Sequence, residues 1–121
     1  MSNKLTKEER LKSKVSIELL FKEGKGTVKF PIKMQYMPHD RPMHQVAFTA
    51  PKRNFKRAVD RNRIKRQMRE AYRTNKYILY EKDLQPQAIF FIYIGREMPT
   101  FTNLEKRMKQ CLKELSQKAK K

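Results

Sequence analysis

Apolar positions recur along the chain in changing rhythms, and each rhythm predicts an element. Leu11, Val15, Ile17, Leu19, Leu20 and Phe21 suit a first helix, closed by Gly24. Thr6-Lys7-Glu8-Glu9 has the form of a capping box that could open it, with a break allowed at Ser13 or Ser16. From Thr27 to Met37 the pattern alternates: Val28, Phe30, Ile32, Met34 and Tyr36 on one side, Lys29, Pro31, Lys33 and Gln35 on the other. That predicts one half-buried strand with a basic second face, and Pro31 assigns it to an edge or a bulge. The stretch from Pro38 to Pro42 supplies a turn, and residues 45–50 return as a second strand through Val46 and Phe48.

After Phe55 no Gly or Pro occurs until Pro86, and good helix formers dominate, which predicts a helix over residues 55–76. Ile64, Met68, Ala71 and Tyr72 fall in one arc of about 100° that can dock on a core. Asn62, Arg66, Arg69 and Arg73 form a stripe on a different face. Residues 77–80 either prolong this helix or pack beneath it. Residues 88–94 are apolar on both faces, as a central strand covered from two sides would be, and Gly95 ends them. Thr102-Asn103-Leu104-Glu105 is a second capping-box candidate, opening a helix through Leu104, Met108, Cys111, Leu112 and Leu115. The expected architecture is α+β: a small split α/β sandwich in the order α-β-β-(β)-α-β-α. It forms one domain over residues 1–121, with basic, mobile tails at 1–10 and 117–121.

Charge changes the picture. The chain of 121 residues carries a net charge of +18 with a pI of about 10.3, and such a chain repels itself unless a polyanion is present. Nucleic acid is therefore the expected partner. No run approaches the ~18 apolar residues of a membrane span, and the first ten residues hold no apolar signal core. A cytoplasmic protein with no membrane partner is expected. A membrane-surface helix would need exposed bulky residues opposite its charge, whereas here that stripe is read as core. Cys111, the single cysteine, reads as a small core hydrophobe.

The charge is concentrated in residues 52–73. Lys52, Arg53, Lys56, Arg57, Arg61, Arg63, Lys65, Arg66, Arg69 and Arg73 stand there against only Asp60 and Glu70. Guanidinium groups match phosphate oxygens in pairs and stack on bases. A merely solvated face would need more acids to limit repulsion between arginines one turn apart. Protein-based nuclease chemistry would need clustered carboxylates for Mg²⁺ or a His/Lys acid–base pair. His39 and His44 flank one turn with only Asp40 nearby, and they read as surface or strand-end histidines; Asp60 and Glu70 read as helix-surface ion pairs. One Cys and two His at this spacing do not suit zinc, and three glycines make no phosphate loop. No catalytic residue is assigned.

The run Ala58-Val59-Asp60-Arg61-Asn62-Arg63-Ile64-Lys65-Arg66, continuing to Arg69-Glu70-Ala71-Tyr72-Arg73, resembles the signature of the bacterial ribonuclease P protein subunit. That signature is a basic helix with an Arg-Asn-Arg core followed by a hydrophobic residue and Lys-Arg. Upstream, the stretch from Val46 to Arg53 is similar to the family's strand ending in a Ser-Lys-Lys-like turn. The resemblance implies a ribosomal protein S5 domain 2-like fold whose basic helix crosses between parallel strands in the left-handed sense. General strand physics favours the right-handed sense in about 98% of crossovers.

The same resemblance implies a function. The RNA subunit removes the 5′ leader of precursor tRNA, and Mg²⁺ is held mainly by that RNA. The protein assists, as a monomer whose partners are the catalytic RNA and precursor tRNA rather than DNA. Carried over by position, Arg61, Asn62, Arg63, Lys65, Arg66 and Arg69 contact RNA, with Lys52 and Arg53 at the turn; Lys56, Arg57 and Arg73 join them from the charge run. The leader cleft is assigned to Ile17, Phe21 and Lys33. Phe21 matches the second of two family aromatics, whereas Ile17 stands where the first would be, so apolar contact replaces stacking there. A structural RNA-binding protein is the competing reading, and it would bind RNA without affecting precursor-tRNA cleavage. A helix-turn-helix DNA binder fits less well, because the basic helix follows a strand and a turn.

Overall fold

In the computed structural model, which describes residues 5–119, the apolar run expected as a central strand is β4 (Gln87–Tyr93), buried at every position but Ile92. It pairs antiparallel with β2 (Ile32–Pro38) and parallel with β3 (Gln45–Thr49). With β1 (Lys25–Lys29) on the far edge, the order is β1-β2-β4-β3. The helices are α1 (Lys14–Glu23), α2 (Ala58–Asn75), the single turn α3 (Tyr77–Tyr80) and α4 (Phe101–Lys118). The fold is α+β, with three strands before the basic helix, and α2 and α3 make the crossover between the parallel neighbours β3 and β4.

Residues paired across strands share a face, so the register sorts the sheet into two sides. Ile32, Met34 and Tyr36 join Ile89, Phe91, Tyr93 and Val46 on the side of α2 and α4, where Ile64, Met68, Tyr72, Leu104, Met108 and Leu112 complete the main core. Each of these fully buried side chains contributes about 1.5–3 kcal/mol. On the other side Ala88 and Phe90 meet Leu11 and Leu20 in a smaller cluster beneath α1, with Ile17, Met37, Ala47 and Ile92 at its margin. Cys111 lies in the main core, where burial pushes its thiol up to about 12.

Several boundaries differ from expectation. The single strand over 27–37 is a hairpin turning at Phe30 and Pro31, with Lys29 paired to Ile32. A two-residue turn leaves the alternation unbroken in sequence while reversing which parity faces the core. Thr27 and Lys29 therefore share a face with Ile32 and Met34, and Val28 and Phe30 are exposed. Helix α2 starts at Ala58, because Phe55 is buried against Tyr93, their ring centroids 5.9 Å apart, and anchors a loop instead of a first turn.

At the N-terminus the Thr6 N–H and hydroxyl both donate to Glu9 Oε1 at 3.1 Å. They close only a 3₁₀ turn, Lys7–Glu9. Arg10 then bridges to Val46, and the Leu11 N–H donates to the Val46 carbonyl at 2.8 Å. The α-helix begins after Ser13, whose hydroxyl accepts the Ser16 N–H at 3.2 Å. The arm expected to be mobile over 1–10 is thus docked where it is described, and residues 117–118 belong to α4; the expectation for 1–4 and 120–121 lies outside the described residues. Helix α4 is capped by Thr100, which accepts the Asn103 N–H at 3.3 Å, so Thr102 sits inside the first turn.

Candidate nucleic-acid interface

The roll of α2 about its axis is set by what it buries. Tyr72 is wedged against Phe48 and Phe91 with ring centroids 6.1 and 6.0 Å away, and Ile64, Met68 and Ala71 share its face. At the helix end, the Asn75 amide donates to the Ala71 carbonyl at 2.8 Å and to Glu105 Oε2 at 3.1 Å. With that face fixed, the 100° step per residue turns Asn62, Arg66 and Arg69 to solvent, opposite the core. Arg73, the fourth member of the stripe, is half-buried, and its Nε donates to Glu70 Oε2 at 3.0 Å. This pairing holds the Glu70 carboxyl below its ordinary value. Asp60 makes no ion pair among the described residues and occupies the first turn, where the helix dipole favours a carboxylate.

The remaining predicted contacts divide by what holds them. Lys52, Arg53, Lys56 and Arg57 are exposed on the loop joining β3 to α2, and Arg63 is exposed on the helix. Lys65 is half-buried. Arg61 folds back, one nitrogen donating to the carbonyls of Phe55 and Lys56 at 2.8 Å each. It therefore fixes the loop that carries its neighbours, and its other N–H groups are what it can offer to an anion.

Ile17, Phe21 and Lys33 fall on the opposite side of the sheet. Phe21 stays 49% exposed and stands edge-on to Phe90 with centroids 5.1 Å apart. Ile17 is half-buried on the same cluster. Lys33 pairs with Ile92 and Val28, and Thr49 also pairs with Ile92, so all four share the face next to α1. β3 ends at Thr49, three residues before Lys52, which brings this band of sheet to the basic loop.

Cations not singled out from the sequence also converge here. Arg10 and Lys12 surround a cavity of about 200 Å³ with Arg69, floored by Leu5, Leu11 and Val46. Arg96 joins Arg53, Asn54 and Ile94 around another of about 450 Å³. Arg10, Lys12 and Arg96 carry no local pattern; they arrive through the bridge to Val46 and through the strand end at Tyr93.

His44 sits at a strand end, as expected, but it is buried, 4% exposed. Its Nδ1 accepts the Gln87 N–H at 3.0 Å and its ring meets Tyr80 edge-on at 5.0 Å. Burial first, and His39 second, push its pKa down to about 4, so it is a neutral structural acceptor. Among the described residues no three His, Cys, Asp or Glu side chains gather so as to hold a metal ion, and no helix is long and apolar enough to cross a membrane.

Comparisons with known proteins bear on the family and the fold. The sequence model of the Ribonuclease P family matches residues 5–116. The ribonuclease P protein component of Porphyromonas gingivalis is 38% identical over 117 residues, covering 89% of this chain and 83% of that protein. That of Borreliella burgdorferi is 33% identical over 102 residues, covering 82% of each. The RNase P protein from Thermotoga maritima superposes with a TM-score of 0.75 at 22% identity, over 88% of this chain and 96% of its own. The Staphylococcus aureus RNase P protein does so with a TM-score of 0.71 at 18% identity, over 88% and 94%. The two solved structures show the shared fold. With the family match running from the docked N-terminal segment into the last turn of α4, the chain belongs to the ribonuclease P protein family.

Proposed function

We propose that this chain is the RNA-binding, non-catalytic protein subunit of a ribonuclease P, assisting its RNA subunit in removing the 5′ leader of precursor tRNA. The observation that carries the reading is the two-faced α2: Tyr72, Met68 and Ile64 locked in the core, and Asn62, Arg66 and Arg69 held outward on a rigid element. The helix fixes where these side chains start, and the planar guanidinium fork loses less freedom per hydrogen bond to phosphate than an ammonium does. The catalytic RNA takes the outward stripe, together with Arg63, Lys65 and Arg73 and the loop cations Lys52, Arg53, Lys56 and Arg57.

The single-stranded leader lies along the sheet face beside α1. Phe21 and Ile17 offer apolar and stacking contact there, which tolerates any base, and Lys33 and the Lys52–Arg53 turn take phosphates. Neutralising charge where two RNAs meet lowers their repulsion and the metal concentration needed to bring them together. Mg²⁺ held mainly by the RNA supplies the hydrolytic chemistry. The carboxylates of this chain are dispersed or already paired, and none is assigned to it. A monomeric, cytoplasmic protein belongs to the same reading.

The test compares cleavage of precursor tRNA at low Mg²⁺ by the protein alone, by a bacterial catalytic RNA alone, and by both. Stimulation in the combined reaction alone, with the cut at the mature 5′ end, is expected. Tight RNA binding without stimulation would point to a structural RNA-binding protein, and cleavage by purified protein alone would place an active site on this chain.

A further inference from the structure

A cavity of about 650 Å³ opens on the α4 side of the sheet end, away from both α1 and the outward stripe of α2. Its walls are the hairpin tip at Phe30, the loop after β4 with Arg96 and Met98, and the first turns of α4 with Thr100, Asn103 and Arg107. Three features distinguish it from an ordinary surface dent. The loop is fixed, because the Tyr93 hydroxyl donates to the Glu97 carbonyl at 2.6 Å. Gly95 lies so close that a Cβ would meet the Tyr93 hydroxyl at 2.8 Å and Pro31 Cβ at 3.0 Å, so the wall cannot carry a side chain there. Finally, Arg107 donates through Nη1 to Gln110 at 3.1 Å, while its Nε is shut off from solvent without a hydrogen-bond partner. The Gln110 bond holds this guanidinium on the cavity wall, and the remaining N–H groups of its terminal nitrogens are what it can offer to an anion.

The chemistry of the walls selects the occupant. Phe30 is 64% exposed and Met98 39%, presenting an aromatic face and a polarisable thioether where nothing covers them. Arg96 and Arg107 are two guanidinium groups on the same cavity. A flat apolar surface beside paired anion donors suits one unstacked nucleotide, its base on Phe30 and its phosphate on the arginines. Ile94 and Arg96 also line the neighbouring cavity that holds Arg53, so a strand passing the basic loop can continue into this one.

We propose that this cavity is a second RNA contact, a seat for a single unpaired nucleotide on a strand that has passed the Arg53 loop. The inference rests on the RNA-binding reading above. Its test follows the Arg107 Nε–H and Met98 methyl NMR signals of the 121-residue chain while a mixed-sequence hexaribonucleotide is added. Both signals should move. Phe30→Leu and Arg107→Gln should each weaken the affinity read from the Met98 methyl signal roughly tenfold, with unfolding temperatures near the parent's. Phe30→Leu removes only an exposed ring, so it decides the matter even if Arg107→Gln disturbs α4. Movement at Phe21 and Lys33 with Arg107 and Met98 still would overturn the seat and leave RNA binding standing. Equal shifts with inorganic phosphate alone would reduce it to an anion site and overturn the nucleotide. No binding of the hexamer or of catalytic RNA anywhere would overturn both readings.

Discussion

Lys76 Nζ lies 2.8 Å from Glu9 Oε1 and 3.1 Å from Oε2, and the two side chains retain only 4% and 8% of their surface. This pair ties the end of α2 to the N-terminal 3₁₀ turn, and the Tyr80 hydroxyl also donates to the carboxylate, at 3.2 Å. Burial alone would raise the pKa of Glu9; the bonds from Lys76 and Thr6 outweigh it and hold the carboxyl below its ordinary value. The tie delivers Arg10 and Lys12 to the side of Arg69.

Removing one partner of such a pair strands the other charge. Glu9→Gln should therefore cost about 3 kcal/mol in urea unfolding. Before global unfolding it should speed hydrogen exchange at the Leu11 amide, which bonds the Val46 carbonyl. Unchanged exchange at Leu11 would mean that apolar packing, and not the ion pair, docks the segment.

His44 predicts a pH dependence of the opposite origin. Its folded pKa of about 4 lies below the ordinary 6.5, so the unfolded chain takes up the proton first as pH falls. Stability is then complete above pH 6.5 and declines as pH drops toward 4, by up to about 3 kcal/mol. Glu9 acts in the same direction but lower, its contribution fading as pH falls below the ordinary 4.5 and through its depressed folded value. His44→Gln retains an acceptor for the Gln87 N–H and should flatten the urea midpoint between pH 7 and pH 5. A variant with the parent's slope would assign that slope to other groups.

What was legible before the structure follows from how local each signal is. β4 announces itself because both its faces are apolar, and the two faces of α2 are a helical period over 18 residues. The hairpin was hidden because a two-residue turn does not interrupt alternation; only the Lys29–Ile32 pairing shows that Val28 leaves the core. The burial of His44 depends on Tyr80 and Gln87, far along the chain, and no neighbouring residue signals it. For the candidate interface, residue type and helical phase were readable. That Arg10 would join Arg69 needs the tertiary pairing, and that Arg61 would turn back onto Phe55 needs the loop that Phe55 anchors against Tyr93.

Phe21 separates packing from contact. Half-exposed and edge-on to Phe90, it contributes only part of a buried ring, so Phe21→Ala should cost about 1 kcal/mol of stability. If the ring stacks on a leader base, the same change should weaken affinity for precursor tRNA by about 1–3 kcal/mol and leave affinity for leaderless tRNA unaltered. Equal losses on the two RNAs would return Phe21 to a packing role.

Arg66 and Arg69 test the outward face directly. Both are exposed on α2, and neither side chain contributes to the main core. Arg66→Ala with Arg69→Ala should leave the unfolding midpoint near the parent's, since alanine is a good helix former and two neighbouring like charges are removed. Each arginine that neutralises one phosphate adds roughly 0.7–0.9 to the slope of log affinity against log salt concentration. The double variant should therefore bind catalytic RNA more weakly at moderate salt and lose roughly 1.4–1.8 from that slope. A lower affinity at unchanged slope would mean that the two arginines act through stacking or helix position instead of phosphate contact. Unchanged affinity would show that the RNA meets a different face of α2.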